Sequence, residues 1–394
     1  MTRPAPKTVI AGFIPLLDSA LLVAAARFGF AEDEGIELKL VRETSWANIR
    51  DRISIGHFDV AHMLAPMPIA ATLNLTSLAV PMLAPMTLGL GGNAITVSLS
   101  LWDEMKAEGA DTGGDPATTG LALAKAIADR RPRGGEPLRF GVVHPFSGHA
   151  YELRYWLAAS GIDPDRDVEI TVLPPPLMPD ALAAGRIDGY CVGEPWNTMS
   201  VLNGQGRIVT FKDAIWPASP EKVLGVTESW ADSNAGTLRA LIRALARSAD
   251  WCADPRNAED LAHLLAAPDY LDCSPATCIP ALTGKLLLEA DLSANVPRFL
   301  SFAAPDALCP SGADGLWFYS QMVRWGQAVY SKEDEAKVVT TFADRLYRDA
   351  MGSAHSGNAV AQAPKHLFDG LEYNPAEIEN YIASFPIHTR PTTL

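Results

Sequence analysis

Short apolar runs alternate with stretches whose apolar residues recur at helical spacing, and this alternation predicts α/β layers around largely parallel sheets. A strand over 8–14 leads to a helix capped by Asp18 and Ser19, with Leu21, Leu22, Ala25 and Phe28 on its apolar face. Gly35 turns the chain into a strand over 37–41, Ser45 caps a helix over 46–55, and 58–63 reads as a short buried strand before the loop 65–68. Residues 101–119, polar and rich in glycine, read as a surface insertion before a helix ending near Arg131. A second α/β run follows, with strands over 138–143, 168–173 and 187–192 and helices over 149–159 and 178–184. From about Asn234 the pattern turns helical, with core stripes at Leu238, Leu241, Ile242 and Leu245 and again at Val338, Val339, Phe342 and Leu346. The tail from about Gly357, punctuated by Pro364, Pro375, Pro386 and Pro391, is expected to wrap over the surface.

At 394 residues the chain is long enough for two or three domains, and 48% hydrophobic with 20% charged residues excludes disorder along most of it. A formal net charge of −14 opposes broad binding to a phosphate backbone, so direct contact with nucleic acid is not expected. A few pocket groups can still hold a small anion, because the field there is set locally. No apolar core of a secretory signal precedes the first strand, and the apolar stretch 20–26 stops at Arg27, so the sequence predicts a cytoplasmic protein with no membrane span. Five scattered cysteines, of which only Cys273 and Cys278 are close together, predict ordinary thiols and no structural metal.

Neither a phosphate-binding glycine loop nor a nucleophile elbow follows a predicted strand, and the adjacency of Ser147 and His149 does not by itself make a catalytic pair. Two strand-to-helix turns are more informative. Residues 140–149 lead into a helix N-terminus whose free N–H groups favour an anion, where His149 either donates to a ligand or caps its own turn. Residues 190–197 form the second, and Gly193 there lets backbone approach a ligand. Trp46 starts a helix after a strand and is either a third contributor to one cleft or a core aromatic.

Several longer runs carry a resemblance: Thr44-Ser45-Trp46-Ala47-Asn48-Ile49-Arg50-Asp51, Asp59-Val60-Ala61-His62-Met63-Leu64-Ala65-Pro66-Met67-Pro68, Leu153-Arg154-Tyr155-Trp156-Leu157-Ala158-Ala159 and Cys191-Val192-Gly193-Glu194-Pro195-Trp196-Asn197, with Leu316-Trp317-Phe318 and Arg324-Trp325-Gly326 near the end. Over almost its whole length the chain resembles the nitrate- and bicarbonate-binding proteins of bacterial ABC uptake systems. The resemblance implies an α/β, two-domain periplasmic-binding-protein-like fold of class II, with the ligand in the interdomain cleft. Domain I would comprise 1–95 and 222–394, with a helical C-terminal part, and domain II 96–221. The family's ligand residues match Trp46, His149 and Gly193, its amide position falls on Asn93, and the lysine that marks nitrate binders falls on Lys222. Nitrate accepts hydrogen bonds and donates none, so an ammonium suits it, whereas bicarbonate has an O–H that a carboxylate can accept.

Transport members carry an export signal or lipid anchor, and the expected cytoplasmic location instead resembles the NasS-type nitrate and nitrite sensors. That resemblance implies a NasT-like RNA-binding antitermination regulator as partner, held without anion and released with it, and implies no catalytic residue, metal or cofactor. The alternatives are a substrate-binding protein of a nitrate transporter and an enzyme of the thiamine-precursor-synthase type.

Overall fold

A computed structural model describes residues 5–78, 80–302, 305–352 and 365–389. Eleven strands carry the framework: β1 (Lys7–Phe13), β2 (Ile36–Arg42), β3 (Val60–Leu64), β4 (Met82–Thr87), β5 (Leu90–Gly91), β6 (Asn93–Ser98), β7 (Leu138–Val142), β8 (Val168–Val172), β9 (Gly189–Gly193), β10 (Gly206–Phe211) and β11 (Lys222–Thr227). Ten of them form two five-stranded sheets, ordered β2-β1-β3-β11-β4 and β10-β6-β9-β7-β8. The chain leaves the first sheet after β4 and returns at β11, so the second is inserted into the first.

The sheets are mixed where largely parallel ones were expected. β1 runs parallel to β2 and β3, and β7 to β8 and β9, but β11 is antiparallel to β3 and β4, and β6 to β9 and β10. The strands that carry the chain between sheets are the ones that reverse. β3 and β9 are buried at every residue because helices cover both faces, which explains their continuous apolar character. A Cβ on Gly12 in β1 would sit 2.4 Å from the Phe58 ring, so only glycine lets that aromatic lie on the sheet.

Three other expectations need correction. The segment read as a surface insertion contains a helix, Leu99–Ala107, that buries Leu101, Trp102 and Met105; its glycines begin only after that helix. The second apolar stripe is broken, because the helix Lys332–Thr341 ends before Phe342 and another begins at Asp344; Val338 and Phe342 are buried while Val339 is exposed. Residues 365–389 do not merely cover the surface: Leu367, Tyr373, Ile378, Tyr381 and Phe385 enter the core, with Tyr155 edge-on to Phe385 at 5.9 Å. Gly357, Pro364 and Pro391 lie outside the described residues.

The helix Gly312–Arg324, buried along most of its length, packs on the helix Pro66–Thr72 of the first half and on Gly148–Ala159 of the second. Trp317 on it stacks on Trp216 at 3.9 Å. Backbone also ties the halves together: Leu17 N donates to Glu194 O at 2.9 Å, and Trp196 Nε1 to Pro15 O at 3.1 Å. Among the described residues no helix is long and apolar enough to cross a membrane.

Candidate functional site

Ligands gather at the carboxyl ends of strands in open α/β sheets, and strand direction explains which residues converge here. β1 and β3 end at the space between the sheets, bringing Asp18 in the turn after β1 and His62 within β3. Since β11 runs against β3, its first residue Lys222 lies beside Leu64 at the end of β3, with Glu221 just before it. The same logic pairs Asn93, first in β6, with Gly193, last in β9, and places Lys212 there directly after β10. Trp46 begins the helix Trp46–Ser54, whose N-terminus is fixed by Ser45 Oγ accepting from Asn48 N at 3.3 Å. His149 and Glu152 are three apart on the helix Gly148–Ala159 and share a face.

The polar side chains among these residues are almost wholly removed from solvent. Lys222 Nζ lies 2.8 Å from Asp18 Oδ2 and 3.2 Å from Glu221 Oε1, and 5.6 Å from the centre of the Trp46 ring. Glu221 spans the two halves: Oε2 accepts from Lys212 Nζ at 3.1 Å, and Oε1 is 3.3 Å from His149 Nδ1. Lys212 also contacts Glu152, whose other oxygen accepts from Asn93 Nδ2 at 3.1 Å. On the far side, His62 Nε2 is 2.9 Å from Asp18 Oδ1 while its Nδ1 faces the Ile14 N–H at 3.5 Å. Those partners suit a neutral imidazole with its proton on Nε2.

Protonation follows from this packing. Burial alone would raise the Asp18 carboxyl, but Lys222 and His62 hold it well below its ordinary range. Burial opposes Glu221 ionisation too, yet Lys222, His149 and Lys212 bring it down to about 2. Glu152 goes the other way: burial and the nearby Glu221 raise it, against Lys212. Both lysines are held above their usual range despite burial, Lys212 by Glu152 and Glu221 and Lys222 by Asp18 and Glu221. Burial pushes His149 down to about 3, so it is neutral at physiological pH. Apart from the Asp18 Oδ1–His62 Nε2 pair, the buried polar atoms in this constellation without a hydrogen-bond partner in the protein are Trp46 Nε1, Asn93 Oδ1 and both ring nitrogens of His149. The indole N–H and the protonated nitrogen of the imidazole can donate to an acceptor.

The five residues matched by resemblance, Trp46, Asn93, His149, Gly193 and Lys222, are all brought to this one place. A Cβ on Gly193 would lie 3.3 Å from Leu16 Cδ2 and 3.4 Å from Asn93 Oδ1, so the position has little room for a larger residue. Ser147 and His149 do not pair: Ser147 Oγ donates to His144 O and accepts from Ala150 N, capping the helix. Sequence reasoning missed Asp18, His62, Glu152, Lys212 and Glu221. Asp18 was read as a helix cap, but it reaches Lys222, and Ser19 makes no side-chain cap. Glu152 could have been found from its three-residue spacing to His149, and Glu221 from its place beside Lys222. Among the described residues no group of three or more metal-ligating side chains occurs.

Two sheets with side chains from both converging between them define a periplasmic-binding-protein-like fold. The chain belongs to the NMT1-like family, which it matches over residues 2–266. It is 31% identical over 392 residues to the nitrate/nitrite binding protein NrtA of Synechococcus elongatus, covering 96% of this chain and 86% of that one. It is 35% identical over 390 residues to the nitrate import ATP-binding protein NrtC of Synechocystis sp., covering 96% of this chain but 55% of that one, so it spans about half of that relative's length. The bicarbonate transport ATP-binding protein CmpC of Synechococcus elongatus is likewise 35% identical over 382 residues, with 54% of its length covered. The crystal structure of the periplasmic nitrate-binding protein NrtA from Synechocystis superposes with a TM-score of 0.89 at 25% identity, covering 98% of this chain and all of that one.

Proposed function

We propose that the cleft binds nitrate or nitrite and that the chain works by binding, without turnover. The observation that carries this reading is the buried Trp46 N–H lacking a protein acceptor, with the unpartnered His149 imidazole, beside the buried Lys222 ammonium. Nitrate accepts at every oxygen and donates nothing, so it matches N–H donors and an ammonium. Gly193 offers close backbone approach from the opposite half. An anion held by both halves favours the closed arrangement, in which Glu221 already touches Lys212 and His149. The nitrate-binding relatives support the same ligand. Calorimetry with nitrate, nitrite, bicarbonate and sulfate in nitrate-free buffer tests it: saturable heat with nitrate or nitrite and none with sulfate is expected. Absence of heat with both, from folded protein cleared of carried-over anion, refutes it.

In the finer reading the protein is a cytoplasmic sensor that holds a NasT-like RNA-binding antitermination regulator and releases it when the anion binds. Linkage requires the anion to bind the free form more tightly than the complexed form, and a tenfold preference needs only ~1.4 kcal/mol. The names of the transport relatives favour a second reading, a substrate-binding protein serving an ABC-type nitrate importer. Recovery of an RNA-binding partner that nitrate dissociates supports the sensor; periplasmic location with transporter-dependent nitrate uptake supports the importer.

A further inference from the structure

Building on the reading of the cleft as a nitrate or nitrite site, the geometry points to Glu152 as a specificity-determining residue: Asn93 and Glu152 form a relay through which an acceptor-only anion binds together with one proton. In the structure Asn93 Nδ2 donates to Glu152 Oε2 at 3.1 Å, while Asn93 Oδ1 is buried, without a partner, on the Gly193 side. The amide therefore shows an acceptor to the cleft. Nitrate and nitrite would meet it oxygen to oxygen.

Turning the amide over presents Nδ2 to the anion but sets Oδ1 against Glu152 Oε2, again two acceptors. A proton on Glu152 removes the conflict: its O–H donates to Asn93 Oδ1, and Asn93 Nδ2 donates to the anion. No covalent bond beyond that O–H changes, and the proton comes from solvent. Bicarbonate carries its own hydrogen and can donate to Asn93 Oδ1 as it stands, with Glu152 ionised. Acceptor-only anions thus take up a proton on binding and bicarbonate does not.

The surroundings fit this assignment. Glu152 faces Lys212 and Asn93 directly, with Glu221 sharing Lys212; Lys222, Asp18, His149 and the Cys191 thiol on β9 complete the ionisable groups around the cluster. Burial already raises the Glu152 carboxyl, so the proton costs least there. His149 needs none: its imidazole is neutral and already carries one N–H, and neither ring nitrogen has a hydrogen-bond partner in the protein.

Calorimetry of nitrate binding in paired buffers of different ionisation enthalpy, over a pH series, counts the proton. Wild type is expected to take up close to one proton, with affinity falling about tenfold per pH unit once Glu152 is ionised in the free protein. Glu152→Gln supplies a permanent amide donor to Asn93 Oδ1, so it should bind nitrate with no proton uptake and a flat profile. Nitrate binding by wild type with no proton uptake at any pH of the series overturns the relay, and uptake that persists in Glu152→Gln moves the proton elsewhere and overturns it equally. Absence of nitrate binding at every pH refutes the nitrate reading itself, a separate result.

Discussion

Lys222→Met separates the structural work of this lysine from its work on an anion. Its ammonium lies 2.8 Å from Asp18 and 3.2 Å from Glu221, and all three side chains are buried. At an effective dielectric near 20, such separations give roughly 5–6 kcal/mol of attraction each, most of it offset by desolvation in the intact group. Removing only the cation is different, because Asp18 stays buried without its ammonium partner and Glu221 keeps only Lys212. The expected loss is about 3–5 kcal/mol of folding stability, read as a lower urea midpoint at unchanged slope. Adding Asp18→Asn removes one stranded charge and should restore more than half of that loss. Nitrate affinity is not restored: one charge-assisted hydrogen bond is missing in both variants, so binding should weaken roughly 10–100-fold in each. A single variant within about 1 kcal/mol of wild type would mean that the buried triad is not coupled. A double variant that binds nitrate as tightly as wild type would mean that Lys222 does not meet the anion.

Trp46→Phe keeps a buried ring but deletes the unpartnered Nε1–H; stability should change little while nitrate affinity drops about tenfold, and an unchanged affinity by calorimetry would remove Trp46 from the site. Burial pushes the Glu194 carboxyl up to about 7 from 4.5. Its contribution to stability is therefore full below 4.5 and lost as pH rises through about 7, so Glu194→Gln should flatten the fall in urea midpoint across that window. Cys273 Sγ and Cys278 Sγ are 3.7 Å apart, the first half-buried and the second fully buried. Oxidised glutathione is expected to convert them to an intramolecular disulfide with release of two reduced glutathiones, seen as the loss of two hydrogens in intact mass; Cys278→Ser should leave glutathione attached to Cys273, and two unmodified wild-type thiols would refute the pairing.

Local patterning carried the elements well because each is decided by its own residues. Ser45 caps its helix as its side chain predicts, and the apolar strands 60–64 and 189–193 are buried on both faces. Sheet direction was less legible: the reversal of β6 and β11 depends on which strand each lies beside after a crossover, and that is a property of the whole chain. The candidate site divided along the same line. Trp46, His149 and Gly193 announce themselves at turns, whereas Asp18 looks like a cap and Lys212 like a surface lysine until β10 is seen to end between the sheets. The misread stretch 99–107 shows the opposite error, since nearby glycines masked the spacing of Leu101, Trp102 and Met105.

The charge balance of the cleft explains why lysines alone cannot set its selectivity. Two ammonium groups face three carboxylates, Asp18, Glu152 and Glu221, with no solvent to screen them. Lys222 is held by Asp18 and Glu221, and Lys212 by Glu221 and Glu152, so the carboxylates fix the lysines as much as the lysines attract an anion. The groups left with unused hydrogen-bonding capacity are neutral: an indole N–H, an imidazole and an amide. An entering monoanion adds negative charge to a cluster that is not positive to begin with, and the least costly response is for the carboxyl already raised by burial to take up a proton. Selection among anions then depends on where hydrogens sit, since an anion that accepts only needs the protein to supply them all, and one bearing its own hydrogen needs a free acceptor such as Asn93 Oδ1. Lys222 supplies attraction for either kind, and the Asn93–Glu152 pair decides which kind is satisfied.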